Sequence, residues 1–329
     1  MRRYRIWILK LVPGFPYASF LSALLIFSLL YPLFRLGVGE GGVANTPALF
    51  FSLIIAYIIP VFSFITARAE ESLVELMPLL PDDSTSLQSA RYQLHTVSLR
   101  ALLVQLLGGA LLGLGHLSFI RGSIMQMLHG ILSDFTALIS ALGTVLVWVV
   151  MTTVIYMLVQ QAVYFARLGA EVRISLLNTR PLLAFGRVAI FSSLAVIGAL
   201  ALFPLMSVDS QLLAAEALPG AVATTVPLLG MFIIPVWPVH RRLSALKTQE
   251  LAALATRIEA CLGHSNGSEL ALEKMAELTP LFTYRREIAQ LSTWPFDVGT
   301  VTRLFLYLVI VPLTWAGAAL IERLVDLFV

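Results

Sequence analysis

Apolar positions along this chain gather into seven long runs separated by shorter polar segments, at residues 17–36, 47–67, 101–120, 136–165, 188–206, 219–239 and 301–321. Each run is long enough for a helix to cross the bilayer core, which takes ~20 mostly apolar residues. The fourth run is long, so its helix is expected to tilt or to project beyond the membrane. Residues 1–10 are basic, but the apolar run that follows is too long for a signal peptide and lacks a small-residue cleavage site. The pattern predicts an all-α polytopic membrane protein with seven transmembrane helices.

Basic residues give that pattern a direction. With the N-terminus in the cytosol, 19 of the 22 Lys and Arg fall on inner segments, and only Arg35, Arg121 and Arg323 lie outside. Lys and Arg favour the cytoplasmic side, so an N-in, C-out arrangement is expected, and adding or removing one span would scramble the asymmetry. The outer segments carry Glu40, Asp134, Asp209, Glu216, Glu322 and Asp326. This acidic outer face would mildly concentrate cations, although a basic interior by itself leaves acids outside.

Composition narrows the function classes. The chain has 329 residues, 58% hydrophobic and 12% charged, against about 25% charged in soluble domains. A net charge of +3 from scattered basic residues offers no nucleic-acid surface. The single cysteine, Cys261, excludes a disulfide framework and a cysteine-rich metal site. No catalytic signature is present. No two of His95, His116, His129, His240 and His264 are spaced as helical metal ligands. Neither an enzyme nor a cofactor is therefore expected. No Asp or Glu falls in the middle of a span, which argues against an ion-coupled carrier but not against a passive pore.

Between spans lie three inner segments. Residues 70–100 are amphipathic and broken by Pro78 and Pro81, and residues 166–187 break at Asn178-Thr179-Arg180-Pro181. The third reads as a helical hairpin. Leu251, Leu254 and Ile258 recur at the spacing of a packed helix seam, residues 263–267 form a turn, and Leu281 and Ile288 continue the seam on the return arm. Thr279-Pro280 reads as a cap followed by a first-turn proline, so two helices meeting at a kink are expected there. The chain then bends at Trp294-Pro295-Phe296, because proline forces its predecessor out of the helical region and tryptophan sits well at a headgroup interface. The expected organisation is a six-helix region at 1–239, a cytosolic hairpin at 240–297 and a final helix with a short outer tail at 298–329.

Two packing features stand out. Gly109 and Gly113 form a small-xxx-small pair, suited to close helix approach within one chain or between subunits. In the last span, projection at 100° per residue puts Arg303, Tyr307, Val311, Thr314, Ala318 and Glu322 on one stripe, opposite an apolar stripe of Phe305, Val309, Pro312, Ala316 and Leu320. The Tyr and Thr hydroxyls need partners in hydrocarbon. The interior of the bundle would supply them, and so would a water-filled path within one bundle or on a symmetry axis, with Glu322 and Arg303 at its mouths.

The segment Pro238-Val239-His240-Arg241-Arg242-Leu243, the hairpin, and Thr293-Trp294-Pro295-Phe296 before a last span resemble a group of prokaryotic multi-span membrane proteins of uncharacterised activity. In those proteins a His-Arg-x-Leu start and a Thr-Trp-Pro-aromatic elbow bracket a cytosolic hairpin. The likeness covers about the final quarter of the chain and implies a prokaryotic plasma-membrane location. By topology alone, the arrangement is also similar to the seven-helix ion channels typified by insect odorant and gustatory receptors. The C-terminal Thr-Tyr-type signature of those receptors is not present as such; Leu306-Tyr307-Leu308 is a poor substitute for it. That resemblance implies a homotetramer joined through the cytosolic extensions, with the last helix lining the pore. Two functions are carried forward. One is a cation-favouring channel anchored by Leu251, Leu254, Ile258, Leu281, Ile288, Trp294, Pro295 and Phe296. The other is a non-conducting scaffold whose hairpin docks a partner protein.

Overall fold

A computed structural model describes residues 3–15, 17–36, 46–81, 87–202, 205, 226–263, 271–296, 299, 301–306 and 309. Helices dominate: α1 Ala18–Arg35, α2 Thr46–Leu76, α3 Leu87–His95, α4 Leu99–Ile120, α5 Ile124–Ser133, α6 Phe135–Glu171, α7 Leu183–Leu200, α8 at 226–233, α9 Trp237–Gly263 and α10 Ala271–Gln290. Among the described residues, five helical stretches are long and apolar enough to cross a membrane: Ala18–Arg35, Ala48–Leu79, Leu99–Ile120, Phe135–Glu171 and Arg180–Leu200.

These five coincide with the first five apolar runs. Burial sorts them into layers. The apolar stretches of α2, α6 and α7 are mostly buried, whereas those of α1 and α4 are mostly exposed. Exposed Phe20, Leu25, Leu29, Leu107, Leu111 and Phe119 make those outer faces strongly apolar. Apolar surface of that extent needs a non-aqueous covering.

Packing between the central helices follows residue size. Gly109 and Gly113 face α6: a Cβ at Gly109 would come within 2.6 Å of the Val149 Cα, and one at Gly113 within 2.9 Å of the Val145 Cα. The small pair therefore serves contact within the chain. In α2, Phe50, Ile54 and Phe62 are buried in the main core with Val150 and Leu158 of α6 and Ile197 of α7.

Several boundaries differ from expectation for local reasons. Helix α6 reaches Glu171 because its last turns pack on a second core containing Phe165, Leu168, Leu182 and Phe185. Arg180–Leu182 forms a 3-10 turn with proline near its start and leads directly into α7, so Arg187 is helical and pairs with Glu75. The sixth run is interrupted: α8 ends in a turn at 234–236 around Pro235, and α9 starts at Trp237 with Pro238 in its first turn. The turn expected at 263–267 falls almost wholly outside the described residues.

The two helices expected to meet at Thr279-Pro280 are a single one. Helix α10 runs unbroken through Pro280. Proline removes one backbone donor, and the tertiary hold of α9 on this arm offsets that loss. Two elements lacked a sequence signal. Residues Arg3–Arg5 (β1) pair antiparallel with Thr96–Ser98 (β2) in register Arg3↔Ser98, Tyr4↔Val97 and Arg5↔Thr96. Helix α5 occupies the connection between α4 and α6, with Ser123 capping it by accepting from Gln126 N.

Candidate functional site: an aromatic elbow at the hairpin root

The first turns of α9 present two working faces. Val239 and Leu243, four residues apart, share one face and are fully buried against the end of α6 and the start of α7. Gly169 makes room for Val239, since a Cβ there would lie 2.7 Å from Val239 Cγ2. Next to this contact, Arg242 Nη1 donates to the carbonyls of Gly169 (3.3 Å), Ala170 (2.9 Å) and Val172 (2.7 Å). These groups close α6, where carbonyls lack helical donors and partial negative charge accumulates, so a guanidinium is well placed.

The other face holds His240 and Lys247, seven residues apart and so on one side of the helix. Lys247 Nζ donates to the carbonyls of Ala289 (2.7 Å) and Leu291 (2.8 Å), capping the end of α10. The His240 Nδ1–H donates to the Thr293 carbonyl at 3.1 Å. Its ring stacks on Trp294, with centroids 3.8 Å apart and planes at 14°. The aromatic series continues from Trp294 to Phe296, and Phe296 stacks on Phe232 of α8 at 5.0 Å and 3°. Pro295 is buried. Three elements thus meet at one bend: the end of α8, the root of the hairpin and the chain entering the last helix.

The site joins residues 238–243 to residues 293–296. His240 belongs to the first and Trp294 to the second, and their rings are in contact. Of the expected anchor residues, Leu254, Ile258 and Ile288 are buried in the hairpin of their own chain, Leu251 and Leu281 are half-buried, and Trp294 is 42% exposed. Of the expected pore stripe only Arg303 is described, and it is exposed, next to Leu304, which is 8% exposed and part of the main core. Tyr307, Val311, Thr314, Ala318 and Glu322 lie outside the described residues. Sequence reasoning gave no role to Arg242 or Lys247, although basic residues near helix ends were a usable signal.

Among the described residues no group of three or more His, Cys, Asp and Glu is placed to hold a metal ion. Family models, curated proteins and solved structures provide no match to the chain.

Proposed function

We propose that the chain is an oligomeric ion channel of the plasma membrane with seven transmembrane helices, its N-terminus in the cytosol and its last helix lining a cation-favouring path. The hairpin at 240–297 anchors subunits, and the elbow passes its position to the last helix. One observation carries the conducting part: at the start of the last helix Leu304 faces the core of its own chain while Arg303 is on the subunit surface. A stripe continuing from Arg303 at helical spacing through Tyr307, Val311, Thr314, Ala318 and Glu322 would face a neighbouring subunit or water.

Contacts between distant segments support the crossing count independently of charge bias. Groups that touch outside the bilayer are on the same side, so the chain between them crosses an even number of times. The β1–β2 pairing agrees with α1 and α2 crossing out and back. The Glu70–His95 hydrogen bond and the Glu75–Arg187 ion pair put the end of α2, the end of α3 and the start of α7 at one end of the bundle. Arg242 on the end of α6 agrees with a return crossing after α7. Six crossings before the hairpin satisfy all of these.

Planar-bilayer recording tests the reading. Purified protein should conduct cations, with Glu322→Gln reducing cation preference and Thr314→Val reducing unitary conductance. Absence of current, or identical current and selectivity in both variants, would overturn it. The scaffold reading is favoured by a different observation: α10 packs on α9, α9 packs on α6 at its root, and Leu262 and Phe282 remain at least half exposed on the hairpin. A monomer in neutral detergent that carries no current would support it.

A further inference from the structure

Helix α5, at the end of the bundle opposite the elbow, sorts its residues into three faces. At about 100° per residue, Met127, Gly130 and Ile131 fall together. This face turns toward the bundle: Met127 is buried with Leu117 of α4 and Ala141 of α6, and Ile131 packs on the same cluster. Gln126, His129 and Ser133 form a second face and are exposed. The third face carries Ile124, Met125, Leu128 and Leu132 within an arc of about 100°. These four are 65%, 77%, 46% and 85% exposed, and Leu132 is the most exposed large apolar side chain among the described residues. A surface helix of a globular protein in water shows one apolar face, turned to its own core. A second apolar face of this size calls for a second apolar neighbour.

Charges set the level at which α5 lies. No Asp, Glu, Lys or Arg falls between Arg100 and Arg121 along α4, or between Asp134 and Arg167 along α6. Arg121 and Asp134 therefore mark the boundary of the apolar layer, and they bracket α5 directly. No loop lifts the helix away from that boundary. Gly122, at φ 77°, turns the chain out of α4, Ser123 caps α5, and Asp134 both ends α5 and caps α6. Along the chain, Phe119 and Phe135 flank the helix and are 60% and 61% exposed, so the apolar surface of α4 continues through α5 into α6. Four side chains fall short of the ~800 Å² that each partner gives to a stable protein interface. A lipid surface fits the face without that requirement, and α5 itself carries no charge to select a headgroup.

We propose that α5 lies in the plane of the lipid surface. Its Ile124, Met125, Leu128 and Leu132 face enters the boundary between headgroups and acyl chains. Gln126, His129 and Ser133 stay in water, and Met127 and Ile131 hold the helix to α4 and α6. The partner is the apolar layer of the leaflet on this side. The assignment rests on the three faces of α5 and does not depend on whether the chain conducts ions.

Site-directed spin labelling of the full chain in phosphatidylcholine vesicles tests it. Single cysteines are placed at 125, 126, 127, 128, 129 and 132 in a Cys261→Ala background, and collisions are measured with oxygen, which concentrates in lipid, and with a water-soluble nickel chelate. Labels at 125, 128 and 132 should favour oxygen and lie about 5–10 Å below the headgroup boundary, the depth of an in-plane amphipathic helix. Labels at 126 and 129 should favour the chelate, and a label at 127 should meet little of either. Chelate access at 125, 128 and 132 equal to that at 126 and 129 would place the whole helix in water and overturn the proposal. Low access to both reagents at 125, 128 and 132 would overturn it too, because protein would then cover the face: a second copy if dilution in lipid restores access, and another part of the same chain if it does not.

Discussion

Gly186 of α7 and Pro295 of the elbow meet backbone to backbone: a Cβ at position 186 would overlap the Pro295 carbonyl oxygen and reach the Phe296 ring at 2.9 Å. Only a residue without a side chain admits the elbow at this depth. Gly186→Ala should therefore lower stability by about 1–3 kcal/mol, the usual cost of overpacking a closed site. Gly115→Ala, in α4 with nothing within 4 Å of the added methyl, should change it by less than about 0.5 kcal/mol. Thermal unfolding of both variants in the same detergent separates the two. Equal melting temperatures would show that the elbow does not need the glycine.

The stack of His240 on Trp294 predicts coupling between two residues that are far apart in sequence. A double-mutant cycle with His240→Ala and Trp294→Ala should return an interaction energy of about 0.5–1.5 kcal/mol beyond the single losses. Additive losses would mean that the rings touch without supporting each other. If the chain conducts, the same variants should alter gating while leaving ion selectivity as it was.

Arg242 closes α6 from another helix. Arg242→Ala leaves the carbonyls of Gly169, Ala170 and Val172 without this donor, and a cost of about 1.5–3 kcal/mol is expected for hydrogen bonds to a charged group. Hydrogen exchange should localise the change to the last turns of α6 and the root of α9. Uniform loss of protection across the bundle would contradict a local capping role.

Asp134 gives a pH prediction. Its carboxylate accepts from the Thr136 hydroxyl at 2.6 Å and the Thr136 backbone N–H at 2.9 Å, capping the start of α6. These bonds, the hydroxyl first, hold its pKa below the ordinary 3.8. A depressed acid stabilises the fold fully above its unfolded value, and that contribution disappears as pH falls below 3.8 through the folded value. Asp134→Asn, which still caps but does not titrate, should flatten the acid side of the stability curve. An unchanged curve would sink the assignment.

The five well-described spans were legible because hydrocarbon imposes a long, nearly unbroken apolar code on any helix that crosses it. Even the Gly109 and Gly113 contact was readable as a small-residue pair, though not which helix it would meet. The elbow was only half legible. Trp294-Pro295 announces a bend, but nothing in the linear pattern says that His240, 54 positions earlier, will lie against it, or that Gly186 will leave it room. Three-residue strands such as Arg3–Arg5 carry too few positions to show a period, and their pairing is decided by the partner. Continuity of α10 through Pro280 defeated a local rule because packing on α9 outweighed one lost donor.

The short ladder between Arg3–Arg5 and Thr96–Ser98 has a consequence for biosynthesis. Arg3 and Thr96 are 93 residues apart, so at translation rates of about 5–20 residues per second the first strand waits roughly 5–20 s for its mate. During that interval α1 and α2 are made while a short unpaired edge stays open. Its two arginines discourage stray pairing, as charges do on exposed strands. Closing the ladder then ties the start of the chain to the segment that follows α1, α2 and α3.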